Sequence, residues 1–272
     1  MNGLADWFPR LMRVALPSFT ALALVYLVLP SLIIVPMSFS NQLYLTFPPP
    51  GWSTQWYGAM QTDLSWPQAA ANSFLIGVPT ALLSVALGTL AALAVVRGRL
   101  RFAAAASALL VAPMLLPHVI IAIGLYPVML DLGLLRGYLG VIIGHTVVAM
   151  PLVFITVAAA LRTYSESLEL AAMTCGAGPW SAFRHITFPM IRMGVVVGGL
   201  LAFATSFDEL MLSLFLTGPG TRTLPRLIWE QMNAYLTPTI AAVATLILGF
   251  SLLLLAVVAV LQRARPVESQ AP

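Results

Sequence analysis

Residues 241–261 carry no charged side chain, and near-continuous apolar stretches of similar length recur along the 272-residue chain. Six such stretches are read, at about 14–37, 73–96, 103–130, 138–161, 193–216 and 238–261. About 20 apolar residues suffice to cross roughly 30 Å of hydrocarbon as a helix. Inside lipid every backbone donor and acceptor must be satisfied locally, which leaves helices or closed barrels. A barrel strand alternates apolar and polar residues, whereas 81–96 and 241–261 run apolar without alternation. Only 8% of residues are charged and 60% are hydrophobic, against the roughly 25% charged typical of soluble domains. The expected fold class is therefore all-α: a polytopic membrane protein with six transmembrane helices, read as one domain over 1–272.

Charge placement sets the expected orientation, because arginine and lysine favour cytoplasmic loops. All 13 basic residues are arginines. Arg10, Arg13, Arg97, Arg99, Arg101, Arg162, Arg184, Arg192, Arg263 and Arg265 fall on one side, and Arg136, Arg222 and Arg226 on the other. Both termini are accordingly expected in the cytoplasm. Trp52, Trp56, Tyr57, Trp66, Trp229 and Tyr235 supply aromatic anchors for the opposite interface. The proline-rich segment 47–52 cannot be helical and is expected to form an ordered external turn. The first apolar stretch exceeds the usual 7–15 residues of a signal peptide core, so it is read as retained.

The same residue census excludes several chemistries. A phosphate-cradling P-loop needs a lysine, and the chain has none. A single cysteine, Cys175, allows no internal disulfide and no CxxC site. His118, His145 and His185 are too dispersed for a zinc-binding helix, and no nucleophile–base pair for an intramembrane hydrolase is recognisable.

The longest cytoplasmic connection, about 162–190, is the most informative segment. Helix is favoured up to Cys175; Gly176, Gly178 and Pro179 break it; a second short helix is expected from Trp180 to Ile186. Composition alone also allows a plain interhelical linker. Within span 5, Asp208 and Glu209 place two acids in an apolar helix, where a central charge costs about 2.5–3.5 kcal/mol. Such residues are functional candidates by default. The alternative is pairing with His118, His145 or another subunit. Because neighbours point about 100° apart on a helix, one of the two is expected to face a path, and Asp208 is the choice. Pro113 and Pro117 are expected to kink span 3 beside His118. Gly140/Gly144 and Gly194/Gly198 are read as close-packing surfaces. Arg222 and Arg226 are candidates to dock an external protein, or to lie in lipid or solvent.

Several of these segments resemble a known family. Ala171-Ala172, Gly176 and Ile186-Thr187-Phe188-Pro189 are spaced as in the "EAA" loop of ABC-transporter permeases, with Leu170 where that motif has Glu and Phe188 where it has Leu. Residues 47–53, Trp56-Tyr57, Asn72-Ser73, 87–92, 206–209 and 216–225 resemble the spermidine/putrescine-type permeases. The resemblance implies an ABC importer permease fold in the cell inner membrane and a chain that is not an enzyme. It implies a second permease in a homo- or heterodimer, two ATPase subunits holding ATP and Mg, an extracytoplasmic substrate-binding protein, and no nucleic acid. Ala171, Ala172, Gly176, Ala177, Ile186 and Pro189 would then be the ATPase-coupling residues, while Asp208, Glu209 and His118 would line the substrate path. No cofactor or metal is expected on this chain. Polyamines, other small organic solutes and metal chelates all remain open as cargo. A secondary transporter driven by an ion gradient is the competing class, although no broken helix matching span 3 is found in the sequence.

Overall fold

In a computed structural model, residues 3–98, 100–234 and 236–263 are described, so Arg99, Tyr235 and Arg265 of the sequence reading lie outside them. Every regular element among these residues is helical. The helices are α1 (Gly3–Met37), α2 (Gln55–Thr62), α3 (Ser65–Arg97), α4 (Ala103–Val111), α5 (His118–Asp131) and α6 (Tyr138–Arg162), then α7 (Ser167–Thr174), α8 (Pro179–Ala182), α9 (Phe188–Phe207), α10 (Met211–Leu216), α11 (Leu224–Ala234) and α12 (Pro238–Arg263). Two units can be distinguished, Met1–Asp63 with Gln231–Phe250, and Leu64–Glu230 with Ser251–Pro272.

Five helices are long and apolar enough to cross a bilayer, and six crossings result only if a bent pair counts as one. That pair corrects the expected third span. Ala103–Leu115 and His118–Asp131 meet at 101°, well beyond a proline kink. Leu116 is extended, and Pro117 is the cap residue just before the next helix. The 14 residues of α5 reach only about 21 Å at 1.5 Å per residue, short of the hydrocarbon thickness.

The fifth span is corrected at both ends. The helix begins at Pro179 in the first turn of α8, passes through a wide turn at Phe183–Thr187 and continues as α9. The expected short helix from Trp180 to Ile186 is thus the first part of the span itself. Pro189 lacks a backbone donor, and the wide turn just before it accommodates that loss. At the other end α9 stops at Phe207, and α10 starts only at Met211. Asp208 and Glu209 therefore occupy a helix break rather than a continuous helix.

In the larger unit α6 is the central helix, with α3 and α9 packed against it. Val153, Val157 and Leu161 of α6 join Ala92 of α3 and Ile191 and Ala202 of α9 in one core. A second core gathers Ile76, Ala122, Met129, Val141, Val148, Leu212 and Leu216, which fixes α5 and α10 against α3 and α6. Glycines permit the close approach. A Cβ on Gly194 would lie 2.8 Å from that of Ala160, and one on Gly144 would lie 2.7 Å from Leu216 Cδ1. Trp66, expected as an interface anchor, is instead buried in this unit.

In the smaller unit α1 leaves its apolar side chains uncovered, Leu22 and Tyr26 among them. Residues 38–54 form no helix. They are held by Trp56 Nε1 donating to the Ser40 carbonyl (2.7 Å) and by the Ser38–Tyr57 hydroxyl pair (2.8 Å). The ordered turn expected over 47–52 is present, closed by Asn41 N–H donating to the Gly51 carbonyl.

Candidate functional site

Two places in the larger unit collect the residues singled out by sequence. The first is the turn after α7. Gly176 N–H bonds the Met173 carbonyl and Ala177 N–H bonds the Ala172 carbonyl, each at 3.0 Å. This is a Schellman cap, which requires a residue in the left-handed region just past the helix end. Gly176 supplies it with φ +93°. Ala172, Gly176 and Ala177 therefore form one helix stop, and Gly178-Pro179 starts the following helix. Ala171 and Pro189 are exposed and Ile186 is half-buried, so the six residues lie along one bent segment without meeting in a cluster.

Glu169 and Leu170 of α7 differ sharply. Leu170 is exposed, whereas Glu169 turns inward. Its Oε1 accepts from Tyr164 Oη (2.6 Å) and from Arg97 Nε (3.3 Å). The inward glutamate therefore does not occupy the outward position that Leu170 takes. Burial, reinforced by the Glu169 carboxylate accepting its proton, pushes the Tyr164 phenol above its ordinary value. No local pattern in the sequence marks Arg97 as the partner of a glutamate 72 positions away.

The second place is an open cavity of about 520 Å³ lined by His118, Ala204, Thr205, Asp208, Glu209, Leu210 and Met211. It brings together the three residues expected on a path. The two breaks make it: α5 begins at His118, and the gap between α9 and α10 carries the acids. Glu209 is buried and fully engaged. Its Oε2 lies 2.6 Å from His118 Nδ1, and its Oε1 accepts the Leu212 N–H at 3.1 Å. Asp208 is exposed to the cavity, and its carboxylate has no hydrogen bond or ion pair among the described residues. The pairing alternative therefore holds for Glu209 with His118, and Asp208 is the acid left available. His145 faces elsewhere, fully buried between Ser206 (2.8 Å) and Ser213 (3.4 Å).

Near the opposite end of the unit, Arg226 donates to the carbonyl and hydroxyl of Thr217 and to Glu230, while Arg222 reaches Glu230 and the Pro219 carbonyl. Both arginines brace the 217–230 segment. Among the described residues no cluster of three or more metal-ligating side chains occurs.

Comparison with known proteins bears directly on this arrangement. Residues 84–266 match the family described as binding-protein-dependent transport system inner membrane component. The chain is 35% identical over 235 residues to the putrescine transport system permease protein PotI of Escherichia coli K12, covering 84% of this chain and 83% of the relative. It is 30% identical over 230 residues to the spermidine/putrescine transport system permease protein PotC of the same organism, covering 84% and 86%. Among solved structures, a bacterial ABC transporter involved in import of the acidic polysaccharide alginate superposes with a TM-score of 0.67 at 18% identity, covering 97% of this chain and 99% of that one. The MetNI methionine ABC transporter superposes with a TM-score of 0.54 at 20% identity, covering 76% and 94%. The fold is thus that of ABC transporter permeases, and the chain belongs to the family of binding-protein-dependent transport system inner-membrane components.

Proposed function

We propose that the chain is the membrane-spanning permease subunit of an ATP-binding-cassette importer for a small organic cation of the polyamine type, such as putrescine or spermidine. The observation that carries the substrate class is Asp208, a carboxylate without a hydrogen bond or ion pair among the described residues, in a cavity between two helix breaks. An acid held at membrane depth is costly unless it serves a path or a partner, and its sign suits a cationic amine. The relatives named for putrescine and spermidine support the same cargo. The same fold serves an acidic polysaccharide in one solved transporter; a bare carboxylate here would repel such a solute.

In this reading both termini are cytoplasmic, a second permease completes the pathway, and a binding protein delivers solute from the far side. ATP is hydrolysed by separate subunits that receive the bent segment 162–190. Ala171, Ala172, Gly176, Ala177, Ile186 and Pro189 shape that segment, and the Schellman stop sets the turn from α7 into α8.

Reconstitution tests the proposal. The complex copurifying with this chain is placed in liposomes with its binding protein, and uptake of labelled putrescine and spermidine is followed. Uptake is expected only with ATP on the ATPase side and is expected to saturate. Uptake that persists on an ion gradient without ATP would make the chain a secondary transporter. Selective uptake of a neutral or anionic solute would overturn the cation assignment.

A further inference from the structure

Arg97 is the last residue of α3, and its guanidinium makes four contacts that converge from three elements. Nη2 donates to the Leu161 carbonyl (2.9 Å) and the Tyr164 carbonyl (3.3 Å), satisfying acceptors left over where α6 ends. Nε donates to Glu169 Oε1 of α7 (3.3 Å), and the guanidinium carbon stacks 4.7 Å from the centre of the Tyr164 ring. Tyr164 Oη closes the figure by donating to the same Glu169 oxygen at 2.6 Å. Arg97 and Glu169 side chains are only 17% and 16% exposed, so bulk water screens the pair weakly. Below the junction lies the α3–α6–α9 core, in which Leu161, Ile191 and Tyr164 are members.

The geometry makes the junction a mechanical joint. α7 is short, and the bonds of Glu169 hold its first turn, while its far end finishes in the Schellman turn that leads into α8 and on into α9. Gly176 has no heavy atom within 4 Å of where a Cβ would project. A push on α7 therefore reaches the ends of α3 and α6 together through Glu169 and Arg97, beside the covalent route through α8 into α9. A planar guanidinium suits this task better than an ammonium, since it donates in fixed directions to several acceptors.

We infer that Arg97 and Glu169, with the Tyr164 hydroxyl, are positioning residues that transmit movement of α7 to the cytoplasmic ends of α3 and α6. The inference rests on the reading of 162–190 as the segment that meets the ATPase, and adds which contacts carry the stroke. It also gives the glutamate one place before Leu170 a role inside the chain.

A readout independent of cargo tests it. In the assembled complex, Cys175 is replaced by Ser, and Thr205→Cys is introduced in the cavity as the only cysteine of the chain. Labelling of that cysteine by a water-soluble maleimide is compared with and without ATP trapped by vanadate, alongside ATP hydrolysis per assembled complex. Wild-type contacts are expected to give an ATP-dependent change in labelling rate of about fivefold or more, the lower range of coupling between sites. Glu169→Ala and the milder Tyr164→Phe are expected to shrink that change below about twofold while hydrolysis continues, and Glu169→Gln, which keeps an acceptor oxygen, to recover part of it. A full ATP-dependent change in Glu169→Ala and Arg97→Gln would overturn the inference. So would loss of hydrolysis and labelling change in strict proportion to loss of assembled complex, which marks a purely structural role. Absence of any ATPase from the complex with wild-type contacts would instead overturn the proposed function, and the junction with it.

Discussion

His118 Nδ1 lies 2.6 Å from Glu209 Oε2, and this contact ties the first residue of α5 to the turn that starts α10. The two helix breaks are thereby locked to each other across the cavity. Glu209 also accepts the Leu212 N–H, so one carboxylate caps α10 and holds α5. Removing the histidine leaves a buried acid without its main partner. His118→Ala is expected to lower stability in detergent by about 1.5–3 kcal/mol, the usual worth of a hydrogen bond to a charged group. Denaturant titration of the purified chain checks this, with His118→Gln expected to lie between the two.

Asp208 is expected to act on cargo rather than on folding, because no described partner is lost with its charge. Asp208→Asn should leave complex yield and melting behaviour unchanged while weakening apparent affinity for a polyamine by about tenfold or more, equivalent to about 1.4 kcal/mol. Initial uptake rates against concentration, with neutral-solute binding as a control, make the comparison. Unchanged affinity would return Asp208 to the surface.

At Gly176 the penalty lies in the backbone. With φ +93° and open space around it, a side chain meets no clash but must adopt a conformation disfavoured by about 1–2 kcal/mol for L residues. Gly176→Ala is expected to loosen the turn, which faster proteolysis within 174–180 would report. Gly176→Trp adds bulk on an exposed surface and is expected to cut ATP-driven uptake while membrane insertion stays normal.

Gly194 is restricted for the opposite reason. A Cβ there would stand 2.8 Å from Ala160 Cβ and 3.0 Å from the Thr156 carbonyl. Gly194→Ala should force α9 away from α6 and cost about 1–3 kcal/mol by overpacking, read as a lowered melting temperature in detergent.

Arg226 and Arg222 share Glu230 but not importance. Arg226 donates to both Thr217 oxygens at 2.6 Å and to Glu230 at 2.7 Å, whereas Arg222 reaches Glu230 only at 3.4 Å. Arg226→Ala is expected to destabilise by about 2–3 kcal/mol and Arg222→Ala by less than about 1 kcal/mol. Equal effects in parallel unfolding measurements would contradict the bracing geometry.

Apolar runs, helix stops and the bend before His118 were legible in the residues, because each reflects a local rule. Lipid tolerates no unpaired backbone, so 138–161 and 238–261 had to be helical, and α6 and α12 follow those limits closely. Gly176, Gly178 and Pro179 marked their turn because glycine permits, and proline requires, particular backbone angles. Pro113 and Pro117 announced a bend in span 3. They did not announce 101°, since that angle depends on what α5 packs against: Ala122 and Met129 join Val141, Leu212 and Leu216 in a core assembled from distant segments.

The sequence by itself determined a helical, lipid-compatible chain with a bent polar segment and two acids in an apolar span. Composition and local backbone preference are sufficient for that. Only the tertiary structure decided that Glu209 is spent on His118 while Asp208 faces the cavity, and that Glu169 turns in to Arg97 while Leu170 turns out. Both pairs are adjacent in sequence, and Asp208 and Glu209 are chemically able to exchange roles. What separates them is a partner 91 or 72 positions away, brought within bonding distance only when the helices pack.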